Sequence, residues 1–163
     1  MKRLCSVCAR GGSKGVPNKN IRPLLGKPLL IYSLDQARQS DLFDCIVVSS
    51  DSKEILQLAE EWGVDHAIER PEELATDFAA KIPVFQHCFQ TAETLSGMTF
   101  DIAVDLDATS PLRNQDDLKG VVDLLESHDS TTNVITGTTA RRSPYFNLVE
   151  LDEIGRVYLS GKR

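Results

Sequence analysis

The sequence has 163 residues, 41% of them apolar and 26% charged, and its net charge is −6. A chain of this length buries enough surface to fold without disulfides or metals, so collagen-like, disordered and disulfide-scaffold classes are excluded. The acidic balance argues against a nucleic-acid or membrane partner and leaves room only for local cations that grip a small anion.

The first apolar run, 4–9, has strand length and ends at a glycine-rich stretch. Behind Lys2 and Arg3 it mimics a secretory leader, but Arg10 interrupts it far too early, and no other segment approaches the ~20 apolar residues of a membrane span. Pro28 opens a helical pattern over 28–40, followed by a strand at 45–49. Ile55, Leu58, Ala59 and Trp62 mark a second helix, with Asp51-x-x-Glu54 as its capping box and Trp62 closing it against the sheet. Gly63 stops this helix before a strand at 64–68. Ile82, Phe85, Cys88, Phe89, Ala92 and Leu95 mark a third helix that tolerates Pro83 in its first turn. A strand at 102–106 leads to a helix carrying Leu118, Val121, Val122 and Leu125. The tail reads as strands at 133–138, 146–151 and 157–159, with Gly155 as a turn signal.

Four cysteines (Cys5, Cys8, Cys45 and Cys88) sit in apolar surroundings, which suits a reducing compartment, so the expected location is cytoplasmic. Cys5-x-x-Cys8 has redox-like spacing but lies inside a strand, which favours core packing. His66, His87 and His128 lack metal-ligand spacing.

Strand alternating with helix predicts an α/β fold with a largely parallel sheet covered on both faces. Ligands of such sheets bind beyond the carboxyl ends of the strands, which directs attention to the loops after Ala9, Ser49 and Leu106. The first is the most unusual. Residues 9–20 (ARGGSKGVPNKN) combine three glycines with Arg10, Lys14 and Lys19. Glycines let the backbone turn its N–H groups toward a ligand, and the cations suit a polyphosphate. The loop matches neither the Walker A pattern nor the dinucleotide fingerprint. A solvated loop with incidental charges is the alternative.

The segment ARGGSKGVPNKNI, followed by GKPLL, resembles the nucleotide-binding loop of the CMP-sialic acid synthetases and related acidic-sugar cytidylyltransferases. Val48-Ser49-Ser50-Asp51, the run Arg70 to Ala75 with Asp77, and Ala108 to Arg113 (ATSPLR) match further motifs of that family in order. The opening, DLDATSPLR and ARRSPYFNL look most like the bacterial synthetases acting on legionaminic acid. The resemblance implies a Rossmann-like nucleotide-diphospho-sugar transferase fold. It also implies a single nucleotidyltransferase domain over 1–163, missing the family's C-terminal part with its dimerisation excursion, arginine-rich segment and metal-binding acidic pair. The implied reaction joins CTP to an acidic nine-carbon sugar with Mg²⁺ and releases pyrophosphate, in a homodimeric enzyme. A 3-deoxy-manno-octulosonate cytidylyltransferase and a nucleotide-binding fragment without turnover are the competing expectations.

Carried over residue by residue, the resemblance makes Arg10 and Lys14 catalytic. It assigns Ala9, Arg10, Gly11, Gly12, Ser13, Lys14, Lys19, Asn20, Arg70 and Asp77 to the nucleotide, and Asp107, Thr109, Ser110 and Arg113 to the sugar. Asn20 could instead close a local turn, and Arg70 could pair with Glu72 or Glu73 on the surface. Asp107 stands where many members carry glutamine; it could ligate Mg²⁺ or hydrogen-bond the sugar. Asp105 shares its strand face, but the strand end leaves only Asp107 expected to reach the loop. Near 77–81, Ala79 offers no hydroxyl and Lys81 adds a cation where sialic acid enzymes tend to carry serines near the nucleotide. Arg141 to Asn147 could line the sugar site or connect strands.

Overall fold

The computed structural model describes residues 1–13, 15–76, 78–128, 130–137 and 149–159. Its centre is a four-stranded parallel sheet built from β1 (Arg3–Cys8), β4 (Cys45–Ser50), β5 (His66–Glu69) and β6 (Ile102–Asp105), in the order β5-β4-β1-β6. Registers such as Cys5 opposite Ile46 and Cys5 opposite Val104 place β1 between β4 and β6. Three helices make the crossovers: α1 (Leu29–Ser40), α2 (Lys53–Trp62) and α3 (Lys81–Ser96). The chain runs outward from β1 through β4 to β5 and then returns to the other side of β1 as β6. A right-handed return of this kind places α3 on the opposite face from α1 and α2.

Strand alternation follows the same division. Cys5, Val7, Ile46 and Val48 face Leu30, Leu34, Ile55 and Ala59, whereas Leu4, Cys45 and Val47 face Cys88, Ala92 and Phe100. Every residue of β4 is buried, as expected of a strand covered on both faces. Cys5 and Cys8, three residues apart, belong to opposite faces: Cys5 is in the first cluster and Cys8 packs against the second. All four cysteines are free. Burial among apolar neighbours pushes the Cys5 thiol far above its usual range, and the Cys45 thiol rises to about 11 for the same reason.

The sequence expectations need adjustment at several ends. A short hairpin, β2 (Pro23–Leu24) with β3 (Lys27–Pro28), precedes α1, which begins at Leu29. Pro28 offers this helix no side-chain cap; the Arg22 and Asn20 carbonyls instead accept the Leu29 and Leu30 N–H groups, at 3.1 and 2.8 Å. The cap of α2 is Ser52, whose hydroxyl accepts from the Ile55 amide, so the capping box at Asp51 and Glu54 does not form. Asp51 is drawn instead to the loop after β1. The strand expected at 64–68 starts at His66 because Val64 still bonds back to the Ala59 carbonyl, after Gly63 (φ 93°) has turned the chain. On α3 the buried stripe is Val84, Cys88 and Ala92, while Ile82 and Leu95 are 67% and 53% exposed. Of the expected face, Cys88 and Ala92 are buried and Phe89 packs against the core, while the two ends turn outward.

The chain packs as two compact units, Met1–Asp123 and Leu124–Arg163. Helix α4 (Gln115–Glu126) closes the first, with Leu118 and Val122 buried. In the second, β7 (Val149–Leu151) and β8 (Val157–Leu159) form an antiparallel hairpin. Asp152 holds its turn by accepting from Ile154, Arg156 and the Arg156 side chain. Residues 133–137 form no strand; Thr138 and the segment 138–148, including Arg141 to Asn147, lie outside the described residues. No described helix is long and apolar enough to cross a membrane.

Candidate functional site

A cavity of about 540 Å³ opens at the carboxyl ends of the parallel strands, at the point where the chain reverses direction between β1 and β6. Open α/β sheets bind ligands at such switch points. The loop after β1 contributes Arg10, Ser13, Gly15, Val16, Lys19 and Asn20 to its lining. The segment after β5 contributes Arg70, Leu74, Thr76 and Ala79, α3 adds Lys81 and Val84, and the end of β6 adds Asp107, Ala108 and Thr109.

The first loop is held at three points. Ala9 is buried and donates to the Ser49 carbonyl, fixing the strand exit. The Gly11 amide donates to the Asp51 carboxylate at 3.0 Å, and a Cβ on Gly11 would lie 2.8 Å from the Ser52 Cβ, so a glycine is needed for this close approach. Asn20, only 6% exposed, donates from its side chain to the Arg10 carbonyl at 3.0 Å and accepts the Leu30 amide on its own carbonyl at 2.8 Å. It therefore clasps the base of the loop to the start of α1 while lining the cavity. Arg10 carries a further interaction of its own.

Arg70 does not form the surface pair with Glu72 or Glu73 that the sequence alone allows as an alternative. Its side chain is buried, at 6% exposure, and the guanidinium donates to the Ser49 carbonyl at 2.8 Å and to the Ser49 hydroxyl at 3.3 Å. The Arg70 amide adds a bond to the Ser50 carbonyl at 2.8 Å, so the residue ties the β5 exit to β4 and presents its charge to the cavity.

Asp107 accepts from both the amide and the hydroxyl of Thr109, at 2.8 and 2.7 Å. Partial burial works against its charge, but the two Thr109 bonds and the Lys81 and Lys19 ammoniums outweigh this and hold the carboxyl below the ordinary value of 3.8. Its stabilising contribution is thus complete above that value and lost as pH falls through the lower native one. The melting-temperature gap between the wild type and Asp107→Asn is expected to be full at about pH 6 and to narrow progressively as pH falls below 3.8. A gap unchanged over that range would show that the carboxylate charge is not what Thr109 and the lysines stabilise.

The remaining expected residues divide. Gly11, Gly12 and Ala9 support the loop without lining the cavity, and Lys14 and Asp77 lie outside the described residues. Ser110 and Arg113 are not brought to the lining. Arg113 donates to the Gln36 side chain at 2.9 Å and to the Asp107 carbonyl at 3.0 Å, and Gln36 in turn donates to the Pro111 and Arg113 carbonyls, so the arginine clamps the 107–113 loop to α1. Cys8, read only as a core residue, reaches the lining because β1 ends there. Among the described residues no group of three or more His, Cys, Asp or Glu side chains forms a metal cage.

The sheet order, with a glycine-rich cationic loop at the switch point, defines a Rossmann-like α/β fold of the kind that nucleotidyltransferases share. The fold matches that of a CMP:2-keto-3-deoxy-manno-octonic acid synthetase solved with CTP, with a TM-score of 0.65 and 19% identity over 80% of this chain and 49% of that one. It also matches a cytidylyltransferase from Leptospira borgpetersenii, with a TM-score of 0.62 and 24% identity over 80% and 51% of the two chains. A sequence model of the cytidylyltransferase family matches residues 4–153, and the chain belongs to that family. Its relatives include the post-translational flagellin modification protein B of Campylobacter coli, 43% identical over 96% of this chain and 66% of the relative. The CMP-N,N'-diacetyllegionaminic acid synthase of Campylobacter jejuni is 44% identical over 91% and 63%. A pseudaminic acid cytidylyltransferase of that species is 35% identical over 98% and 67%. The chain thus spans about two-thirds of the length of these relatives.

Proposed function

We propose that this chain forms the nucleotide-binding part of an enzyme that transfers CMP from CTP to a nonulosonic acid, with a legionaminic-type acid as the acceptor. The observation that carries the reading is the convergence of Arg10, Ser13, Lys19 and Asn20 with Arg70 and Asp107 around one cavity at the switch point. The 44% identity to a legionaminic acid synthase, against 35% to the pseudaminic acid enzyme, favours that acceptor class.

In the proposed reaction the anomeric hydroxyl of the acid forms a bond to the α-phosphorus of CTP as the bond to the β-phosphate oxygen breaks, and pyrophosphate leaves. Such chemistry needs positioning and charge stabilisation more than a protein nucleophile. Arg10, with Lys14 and Lys19 from the same loop, would offset the charge gathering on the leaving pyrophosphate. Asn20 keeps the loop backbone in place before the ligand arrives, and Arg70 and Asp107 would orient the nucleotide and the sugar.

The donor set fits Mg²⁺, which commonly takes one or two carboxylates and completes its shell with substrate phosphates and water. Among the described lining residues Asp107 is the carboxylate able to contribute, and a bound ion would supply further neutralisation of the triphosphate.

Calorimetric titration with CTP, UTP, ATP and GTP in the presence of Mg²⁺ tests the reading. Selective CTP binding is expected. Equal affinity for all four nucleotides, or no binding by the folded protein, would overturn it. If CTP binds, pyrophosphate release on adding the acidic sugar distinguishes an enzyme from a binding module.

A further inference from the structure

One charged group at the cavity has no role in the scheme above. Lys81, the first residue of α3, lines the cavity with a side chain that is 61% exposed, and its ammonium lies 2.6 Å from a carboxylate oxygen of Asp105. Asp105 is far less exposed, at 15%, and its other oxygen accepts from the Ser6 hydroxyl at 3.0 Å. The carboxylate is therefore anchored to the central strand β1 and fixes a long side chain that would otherwise sample many rotamers.

The local charge restricts what such an ammonium can bind. Lys81 and Lys19 both act on Asp107, and Lys81 also pairs with Asp105, so two ammoniums stand against two carboxylates at the end of β6. Arg113 also acts on both carboxylates, but it is held by Gln36 and the Asp107 carbonyl outside the lining and has Asp117 as a further counter-charge, so among the described residues this corner carries no net charge. The corner lacks the unbalanced positive charge a further phosphate or carboxylate would need, whereas the Arg70 guanidinium, bonded to the Ser49 carbonyl and hydroxyl, brings charge to another part of the lining. An ammonium has three donors, of which Asp105 engages one. The remaining donors suit a neutral acceptor oxygen.

We propose that Lys81 hydrogen-bonds a neutral carbonyl oxygen of the ligand, and that Asp105, braced by Ser6, is the positioning residue that aims it. The inference rests on the nucleotidyltransferase reading of the same cavity and adds a specificity determinant to it. Two parts of the ligands carry such a carbonyl: the nucleobase of CTP and an acylamido group of the acidic sugar.

The test compares wild-type protein with Lys81→Met and Asp105→Asn. The probes are CTP, inorganic triphosphate and, with CTP bound, the N-acylated and deacylated forms of the nine-carbon acid. Loss of one charged hydrogen bond predicts a drop in affinity of about ten- to a hundredfold in Lys81→Met. If the nucleobase is the source, CTP weakens and triphosphate does not. If the sugar is the source, CTP is unchanged and only the N-acylated acid weakens. Asp105→Asn is expected to follow the same ligand pattern with a smaller loss, a selectivity that general loosening of the fold would not produce. It also keeps the test open should Lys81→Met fold poorly.

Lys27→Met, which removes a pair with Asp35 outside the cavity lining, is expected to leave every affinity unchanged. Triphosphate weakened as much as CTP, or no ligand affected, would overturn the proposal while leaving the cytidylyltransferase reading in place. Failure of wild-type protein to bind CTP would overturn that reading and the inference with it.

Discussion

Arg70→Ala is expected to abolish measurable CTP binding and to lower stability by about 2–4 kcal/mol, which for a chain of this size is a fall in melting temperature of roughly 5–15 °C. Two effects combine. The guanidinium donates to the Ser49 carbonyl and hydroxyl from a nearly fully buried position, so truncation removes packed volume and leaves the hydroxyl without that donor. The Ser49 carbonyl retains the Ala9 amide, which moderates the loss. The same truncation removes a cavity charge that no neighbour replaces from a comparably buried position. Arg70→Lys keeps a positive charge but not the planar fork, and is expected to recover part of the stability and little of the affinity. Thermal melts and CTP titrations of the two variants check this. Normal CTP affinity in a destabilised Arg70→Ala protein would make the arginine purely structural.

Gly11→Ala should weaken CTP binding by at least tenfold while costing about 1–2 kcal/mol of stability. The added Cβ would meet the Ser52 Cβ at 2.8 Å, a contact that a rotamer change cannot relieve because both atoms are attached directly to backbone. Either the loop moves away from α2, breaking the Gly11 amide to Asp51 bond, or the first turn of α2 shifts. The loop has fewer packed neighbours, so the displacement should fall there. Removing the obstructing atom supplies the control: Ser52→Gly takes away the Cβ and remains an acceptable helix cap. The double variant Gly11→Ala/Ser52→Gly is expected to regain most of the lost affinity. If it binds no better than Gly11→Ala alone, the collision is not the cause.

The α/β architecture and the loop after β1 were legible because both rest on local signals: short apolar runs ending in glycine, and cations concentrated beside them. The capping residue of α2 was not. Asp51 and Ser52 are both competent caps, and the choice turned on a tertiary demand, the Gly11 amide, that takes the aspartate away. The buried stripe of α3 is legible in its middle, Cys88 and Ala92, but not at its ends. Ile82 and Leu95 fit the apolar period, but the close approach of α3 to β1 and β5 favours the smaller Val84, Cys88 and Ala92.

Within the site, the sequence motif marks Arg113 as readily as Arg10, since an arginine has the same fork whether it grips a ligand or a neighbouring loop. Gln36, distant in sequence and on α1, is what draws Arg113 into a structural role. Lys81 was visible only as an added cation; its meaning depends on Asp105, which parallel pairing with β1 brings beside Ser6.

Trp62 is the chain's only tryptophan. Its indole donates to Asp35 at 2.9 Å and lies under the Arg38 guanidinium, 3.9 Å from the ring centroid, so one fluorophore is pinned between α1 and α2. It packs on the face of the sheet opposite α3 and is not part of the cavity lining. Intrinsic emission is therefore a native optical gauge of how these two helices seat on the sheet. A spectral change on adding nucleotide would record a mechanical link from the loop after β1 through Asn20 to α1, because direct quenching by a bound base has no path to the indole.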